Sequence, residues 1–274
     1  MKKFYYIISV LMLLATACQQ EDVCSPEDNV PVNVVYQVQM GDDLQSRAIG
    51  DGKQVDELIV GIFRDETLIT TKTFTRSGDG KFNNVSIPMM TKETYNLVFW
   101  AQKKDNAIYT IDNEFNVYID YSKYNNITLT GTELFEAFTT RKKNVSVDNP
   151  GDKNITLTRP FGQLNVGVAE GVDVSRVSKI EMAVKSIPTV YNPLYNSSSQ
   201  VKDLDLVLKG STVTEKLEID NTNYTYLATV FMLPVSDTSV EMTIYQGIAQ
   251  TRLNVGDVSL GANERTNIVG NLLK

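Results

Sequence analysis

Val30-Pro31-Val32-Asn33-Val34-Val35-Tyr36-Gln37-Val38-Gln39-Met40 carries apolar residues at strict period two: Val30, Val32, Val34, Tyr36, Val38 and Met40. The residues between them are mostly polar. Neighbouring side chains of a strand point to opposite faces, so this pattern is a half-buried β-strand. At about 3.3 Å per residue it reaches roughly 36 Å, long for one strand. Gly41-Asp42-Asp43 breaks it. Residues 44–52 are then polar and Gly-bearing with one basic side chain, Arg47, the kind of exposed segment that proteases nick. On the other side, residues 19–29 are polar and aperiodic and read as a tether.

Upstream of the tether stands a targeting segment. Met1-Lys2-Lys3 is basic, and residues 4–15 form a nearly continuous apolar run. The run is too short to span a bilayer, which needs about 20 residues, and has the form of a secretory signal peptide. It ends in Leu14-Ala15-Thr16-Ala17-Cys18, which resembles a bacterial lipobox. On that pattern residues 1–17 are removed and Cys18 is acylated. Cys24 lies in the tether and implies no structural disulfide.

Downstream, β-type segments alternate with turns. Residues 58–63, 68–74, 83–87, 95–101, 107–111, 117–121 and 126–129 read as strands, and residues 133–140 are the one brief helical window. Asp148-Asn149-Pro150-Gly151-Asp152 is the strongest turn cluster. Strand patterns resume at 155–157, 162–168, 180–184, 204–208, 213–219, 224–233, 240–245, 250–255 and 268–273, with the Pro- and Ser-rich stretch 186–201 expected as a long loop. The fold class is therefore all-β, with two tandem β-sandwich domains of transthyretin-like or Greek-key type. The expected divisions are 1–17 signal peptide, 18–47 lipidated tether and removable N-terminal strand, 48–152 first sandwich, and 153–274 second sandwich. Leu164-Asn165-Val166-Gly167 echoes Leu253-Asn254-Val255-Gly256, too short a match to count as a repeat.

Composition narrows the function. The chain has 274 residues, 42% hydrophobic and 22% charged, and no histidine. That removes imidazole acid–base chemistry and histidine-based triads and zinc sites. A net charge of −7 argues against nucleic acid as a partner. Ser199-Gln200-Val201-Lys202 fits a Ser-x-x-Lys pattern but lacks its companion motifs, and is read as chance. Asp148, Asp152 and Asn154 are explained by turn chemistry, and Glu215 and Glu218 fall on opposite faces of a strand. Tyr118, Tyr121 and Tyr124, and Tyr191 and Tyr195, could stack on sugars, but strand preference explains them better; Trp100 reads as core. No catalytic residue, metal or cofactor is expected.

The order of parts resembles the fimbrillin family, the type V pilins of gut and oral Gram-negative anaerobes. Arg47-Ala48-Ile49-Gly50-Asp51 leading into Leu58-Ile59-Val60 is similar to the family's maturation site and first body strand. Residues 95–101, 157–166 and 265–273 also look like fimbrillin-type lipoproteins. The resemblance implies a precursor held at the outer membrane by lipid on Cys18 and cut between Arg47 and Ala48 by a trypsin-like protease. The strand would leave a groove contacted by Val30, Val32, Val34, Tyr36, Val38 and Met40, and a donor strand from another fimbrial subunit would refill it. Six apolar side chains at about 1.5–3 kcal/mol each give on the order of 10 kcal/mol. The sequence ends just after residues 272–273 with no extension for a separate donor strand, which implies a tip or minor subunit used in adhesion. The alternative is a surface glycan-binding lipoprotein of a polysaccharide-uptake system, with the strand permanently in place.

Overall fold

The computed structural model describes residues 29–41, 49–210 and 216–273. The decisive stretch is a strand, β1 (Pro31–Met40). The strands that follow in the first half are β2 (Glu57–Arg64), β3 (Thr67–Thr75), β4 (Phe82–Met90), β5 (Tyr95–Gln102), β6 (Tyr109–Ile111), β7 (Val117–Ile119), β8 (Ala137–Val145) and β9 (Asn154–Leu157). β1 is the middle strand of a three-stranded sheet, antiparallel to β4 and parallel to β9. Opposite it lies a four-stranded sheet in the order β3-β2-β5-β8. Val34, Tyr36 and Val38 meet Leu58, Val60, Ile62, Leu97 and Phe99 in the core between the two.

The second half contains β10 (Gly162–Ala169), β11 (Val177–Asn192), β12 (Ser197–Lys209), β13 (Lys216–Ile219), β14 (Thr222–Met232), β15 (Val235–Gln246), β16 (Ala249–Leu260) and β17 (Arg265–Gly270). It repeats the first half strand for strand. β1 between antiparallel β4 and parallel β9 corresponds to β10 between antiparallel β14 and parallel β17. The run β3-β2-β5-β8 corresponds to β12-β11-β15-β16. β6, β7 and β13 are additions to this common pattern. The turn cluster at 148–152 is the β8–β9 connection, and pairing crosses it: β9 pairs with β1, β7 pairs with β11, and Thr139 bridges to Thr158.

β5 explains its own sequence. Tyr95-Asn96-Leu97-Val98-Phe99-Trp100-Ala101 is apolar almost throughout because both faces are covered, as continuous apolar strands require. Leu97, Phe99 and Ala101 enter the first core. Val98 and Trp100 enter the second, where Trp100 packs edge-on to Tyr109 and Phe161. One sheet thus serves two cores and joins the halves.

Three expectations are corrected. Residues 126–129 form no strand; their backbone caps the edge of β12, with Asn126 N–H donating to the Val207 carbonyl at 2.6 Å and the Ile127 carbonyl accepting from Lys209 at 2.9 Å. The helical window at 133–140 is a 3-10 helix, Thr130–Phe135, followed directly by β8. Ala137-Phe138-Thr139-Thr140 is aromatic and β-branched, and pairing with β5 overrides its helical spacing. The loop expected at 186–201 is the continuous β11–β12 hairpin. A bulge absorbs the irregularity: Ser186 takes φ 56°, and its N–H donates to Asp203 at 3.0 Å. β15 pairs with β11 only as far as Val184 and β7 only from Val190, so Pro188 stands where that edge carries no ladder and its missing N–H is tolerated. Among the described residues no helix is long and apolar enough to cross a membrane.

Trp100→Ala should destabilise the protein by about 3–5 kcal/mol, read from the denaturant midpoint, because the ring is fully buried where the halves join.

Candidate functional site

The site is the slot that β1 fills and the chain that leaves it. Within the slot Val34 is 5% exposed, Tyr36 0% and Val38 1%. The Tyr36 ring packs edge-on against Phe99, with centroids 5.9 Å apart. Its hydroxyl donates to the Pro150 carbonyl at 3.1 Å. Burial pushes the Tyr36 phenol up to about 12, so it remains a neutral donor.

Of the six expected groove contacts, Val34, Tyr36 and Val38 are buried in the core. Met40 is half-buried against the core, whereas Val30 and Val32 are 46% and 37% exposed. The alternation is intact, but cover is missing at that end. Met89 sits directly across from Val32 and takes the interior place, leaving the valine at the rim.

β1 ends with Gly41 N–H donating to the Leu157 carbonyl at 3.0 Å. Cys18, Arg47 and Ala48 lie outside the described residues. The chain is next described at residue 49, where it is held by a different set of groups. Ile49 is buried with Leu129, Leu217 and Tyr226. Its carbonyl accepts from Gln163 Nε2 at 3.3 Å, and the Gly50 carbonyl accepts from Arg159 Nη2 at 2.7 Å. Gly52 N–H donates to Glu136 at 3.0 Å, and the Gly52 carbonyl accepts from Arg76 at 2.8 Å. Gly50 has φ +87°, and a Cβ there would lie 3.1 Å from the Phe231 ring and 3.2 Å from Gln163 Oε1. Only glycine combines that backbone with that closeness.

Glu136 and Arg159 form an ion pair, both fully buried, with the guanidinium 5.1 Å from the ring centres of Phe138 and Phe231. Burial pushes the Glu136 carboxyl up to about 7, and the neighbouring guanidinium offsets this only in part. Asp51 and Glu133 bring carboxylates within 4.8 Å of Glu136, and Lys53 pairs with Asp51. Sequence reading missed this cradle. The available signal was Arg159 itself, a charge set among Leu157, Pro160, Phe161 and Leu164.

The remaining candidates fall into place. Tyr121, Tyr124 and Tyr191 are buried, and their hydroxyls bond internally: Tyr121 accepts from Leu233 N–H at 3.0 Å, Tyr124 from Phe231 N–H at 2.6 Å, and Tyr191 donates to Asn196 at 2.6 Å. Tyr118 and Tyr195 alone of the five are exposed, at 38% and 47%. Ser199 and Lys202 lie three residues apart on β12 and so face opposite ways. Asp152 accepts from Asn154 N–H at 2.9 Å, which is turn chemistry. Glu215 is outside the described residues.

Residues 25–274 match the model of a family of unknown function, DUF6562. The chain belongs to that family. No curated protein matches its sequence. Solved structures share its fold at low identity. A candidate adhesin from Bacteroides thetaiotaomicron superposes with TM-score 0.53 at 11% identity, covering 89% of this chain and 93% of that one. A fimbrial assembly protein from Parabacteroides distasonis gives 0.51 at 12%, covering 88% and 92%. A candidate polysaccharide-binding protein from Bacteroides thetaiotaomicron gives 0.51 at 11%, covering 86% and 90%.

Arg159→Ala should destabilise by about 3–5 kcal/mol, since it strands Glu136 in the interior. The folded chain keeps the Glu136 proton up to about 7, whereas an ordinary glutamate loses it near 4.5. The folded state therefore binds more protons within that window, and this group's contribution to stability falls as pH rises through it. Glu136→Gln should flatten that part of the stability profile, measured as the denaturation midpoint between about pH 4 and about pH 8.

Proposed function

We propose that this protein is a cell-surface fimbrial subunit used in adhesion, a tip or minor subunit with no catalytic role, assembled by exchange of β1 for a strand from another subunit. The observation that carries the reading is the separate anchoring of β1 and the body. β1 fills the centre of a sheet, residues 49–52 are pinned by Arg76, Glu136, Arg159 and Gln163, and residues 42–48 connect the two. A cut after Arg47 would free β1 while leaving the body's own anchor in place. The shared fold of a fimbrial assembly protein and a candidate adhesin supports the reading, as does the lipobox-like leader.

The energetics suit exchange. Three fully buried side chains at about 1.5–3 kcal/mol each give roughly 5–9 kcal/mol, comparable to the stability of a domain. Loss of β1 would also unpair facing backbone on β4 and β9, and open strand edges invite a new partner. The precursor would reach the outer membrane by lipid on Cys18, and a trypsin-like protease would mature it between Arg47 and Ala48.

Limited trypsin treatment of the lipid-free precursor should give a single early cut before Ala48, read from the new N-terminus. The N-terminal fragment should then be exchangeable for an added peptide of residues 30–40. An uncut Arg47, or a fragment that stays locked after cutting, would overturn the reading.

A further inference from the structure

We infer that the slot selects its occupant by a central tyrosine: the incoming strand of another subunit places a tyrosine where Tyr36 sits, flanked two residues away on each side by aliphatic side chains. This rests on the exchange reading of β1.

The walls favour one register. β4 flanks the slot antiparallel and β9 parallel, so an occupant that runs as β1 runs regains the same two ladders. β4 carries an extra residue opposite the span from Tyr36 to Val38, with Asn84 at φ +56°. A bulge in the wall is fixed in place, so sliding the occupant would move its side chains off their pockets. Of the three deep positions, only that of Tyr36 ends in a polar group, the Pro150 carbonyl at 3.1 Å. The positions of Val34 and Val38 are walled by Ile87 and Phe82 across the strand.

The internal repeat separates what the fold needs from what the slot selects. β10 is the counterpart of β1, and its partner β14 carries an extra residue at the same point, between the partners of Val166 and Gly167. Val166 therefore corresponds to Tyr36. It is fully buried, and β10 is continuous with the chain at both ends. A valine satisfies the architecture where the strand is permanent. The tyrosine stands in the strand that a cut after Arg47 would release, where a hydroxyl reaching a carbonyl rejects aliphatic substitutes by leaving that carbonyl unpaired and the ring space empty.

The final strand of this chain does not meet the requirement. One face of β17 presents Thr266, Ile268 and Gly270, the other Arg265, Asn267 and Val269, and neither carries an aromatic. A second copy inserting β17 would leave the ring pocket beside Phe99 empty. The charge-neutral, alternating character of β1 also fits a strand of another subunit better than a saccharide or a nucleic acid.

The test uses the lipid-free chain with residues 42–48 replaced by the recognition site of a sequence-specific protease, so that it is independent of Arg47. After cutting, labelled peptides of residues 30–40 compete for the slot and are followed by fluorescence anisotropy. The native peptide should enter. Tyr36→Phe in the peptide should weaken binding roughly 5-fold, the worth of one hydrogen bond, and Tyr36→Val more than about 30-fold through the unfilled ring space. A peptide of residues 265–273 should not enter. Equal binding of the Tyr36→Val and native peptides overturns the inference and leaves strand exchange standing. Uptake of the 265–273 peptide, which carries no aromatic, as good as that of the native one likewise overturns the inference. No uptake of the native peptide overturns the exchange reading, and the inference with it.

Discussion

A buried guanidinium beside two phenyl rings, paired with a buried carboxylate, ties this molecule together. Arg159 stands at the junction of the repeats, 5.1 Å from the ring centre of Phe138 in the first half and 5.1 Å from that of Phe231 in the second. A buried charge must be paired and hydrogen-bonded or it costs several kcal/mol. Glu136 supplies the pairing and the Gly50 carbonyl an acceptor. Residues 49–52 are thereby drawn into the seam, which explains the glycine at position 50 and the internal position of a short, otherwise unremarkable stretch of chain. Because that anchor is independent of β1, the body and its first strand are two attachments of one polypeptide rather than one.

The repeat gives this division its meaning. Both halves place their first strand between an antiparallel and a parallel neighbour, with a bulge in the same place. In the second half the strand is continuous with the chain on both sides and carries Val166. In the first it follows a polar stretch of sequence and carries Tyr36. The same architecture thus holds two first strands that differ in a single central side chain, Tyr36 in one and Val166 in the other. β6 and β7 leave the first half to pair beside β11, and β5 lends each of its faces to a different core, so the halves do not act as separable beads.

The all-β class, the strand at residues 31–40 and most later strands were legible in the sequence, because alternation and turn residues act locally. Where reading failed, a distant partner had decided. The helical spacing at 133–140 lost to pairing with β5. The prolines and serines of 186–201 were accommodated by a bulge and an unladdered edge. The groove contacts shrank because Met89, far along the chain, occupied the space meant for Val32. The repeat itself left almost no trace, since it is a repeat of pairing order and its strands share little more than apolar alternation.

The sequence by itself determined the alternating strand and the β character of the body; each rests on contiguous residues whose chemistry and periodicity suffice. Only the tertiary structure decided that β1 lies in the middle of a sheet, that Tyr36 meets the carbonyl of Pro150, and that Glu136, Arg159 and Gln163 converge on residues 49–52. Those facts join residues about a hundred positions apart, and long-range pairing depends on which strands find each other, which local pattern does not encode.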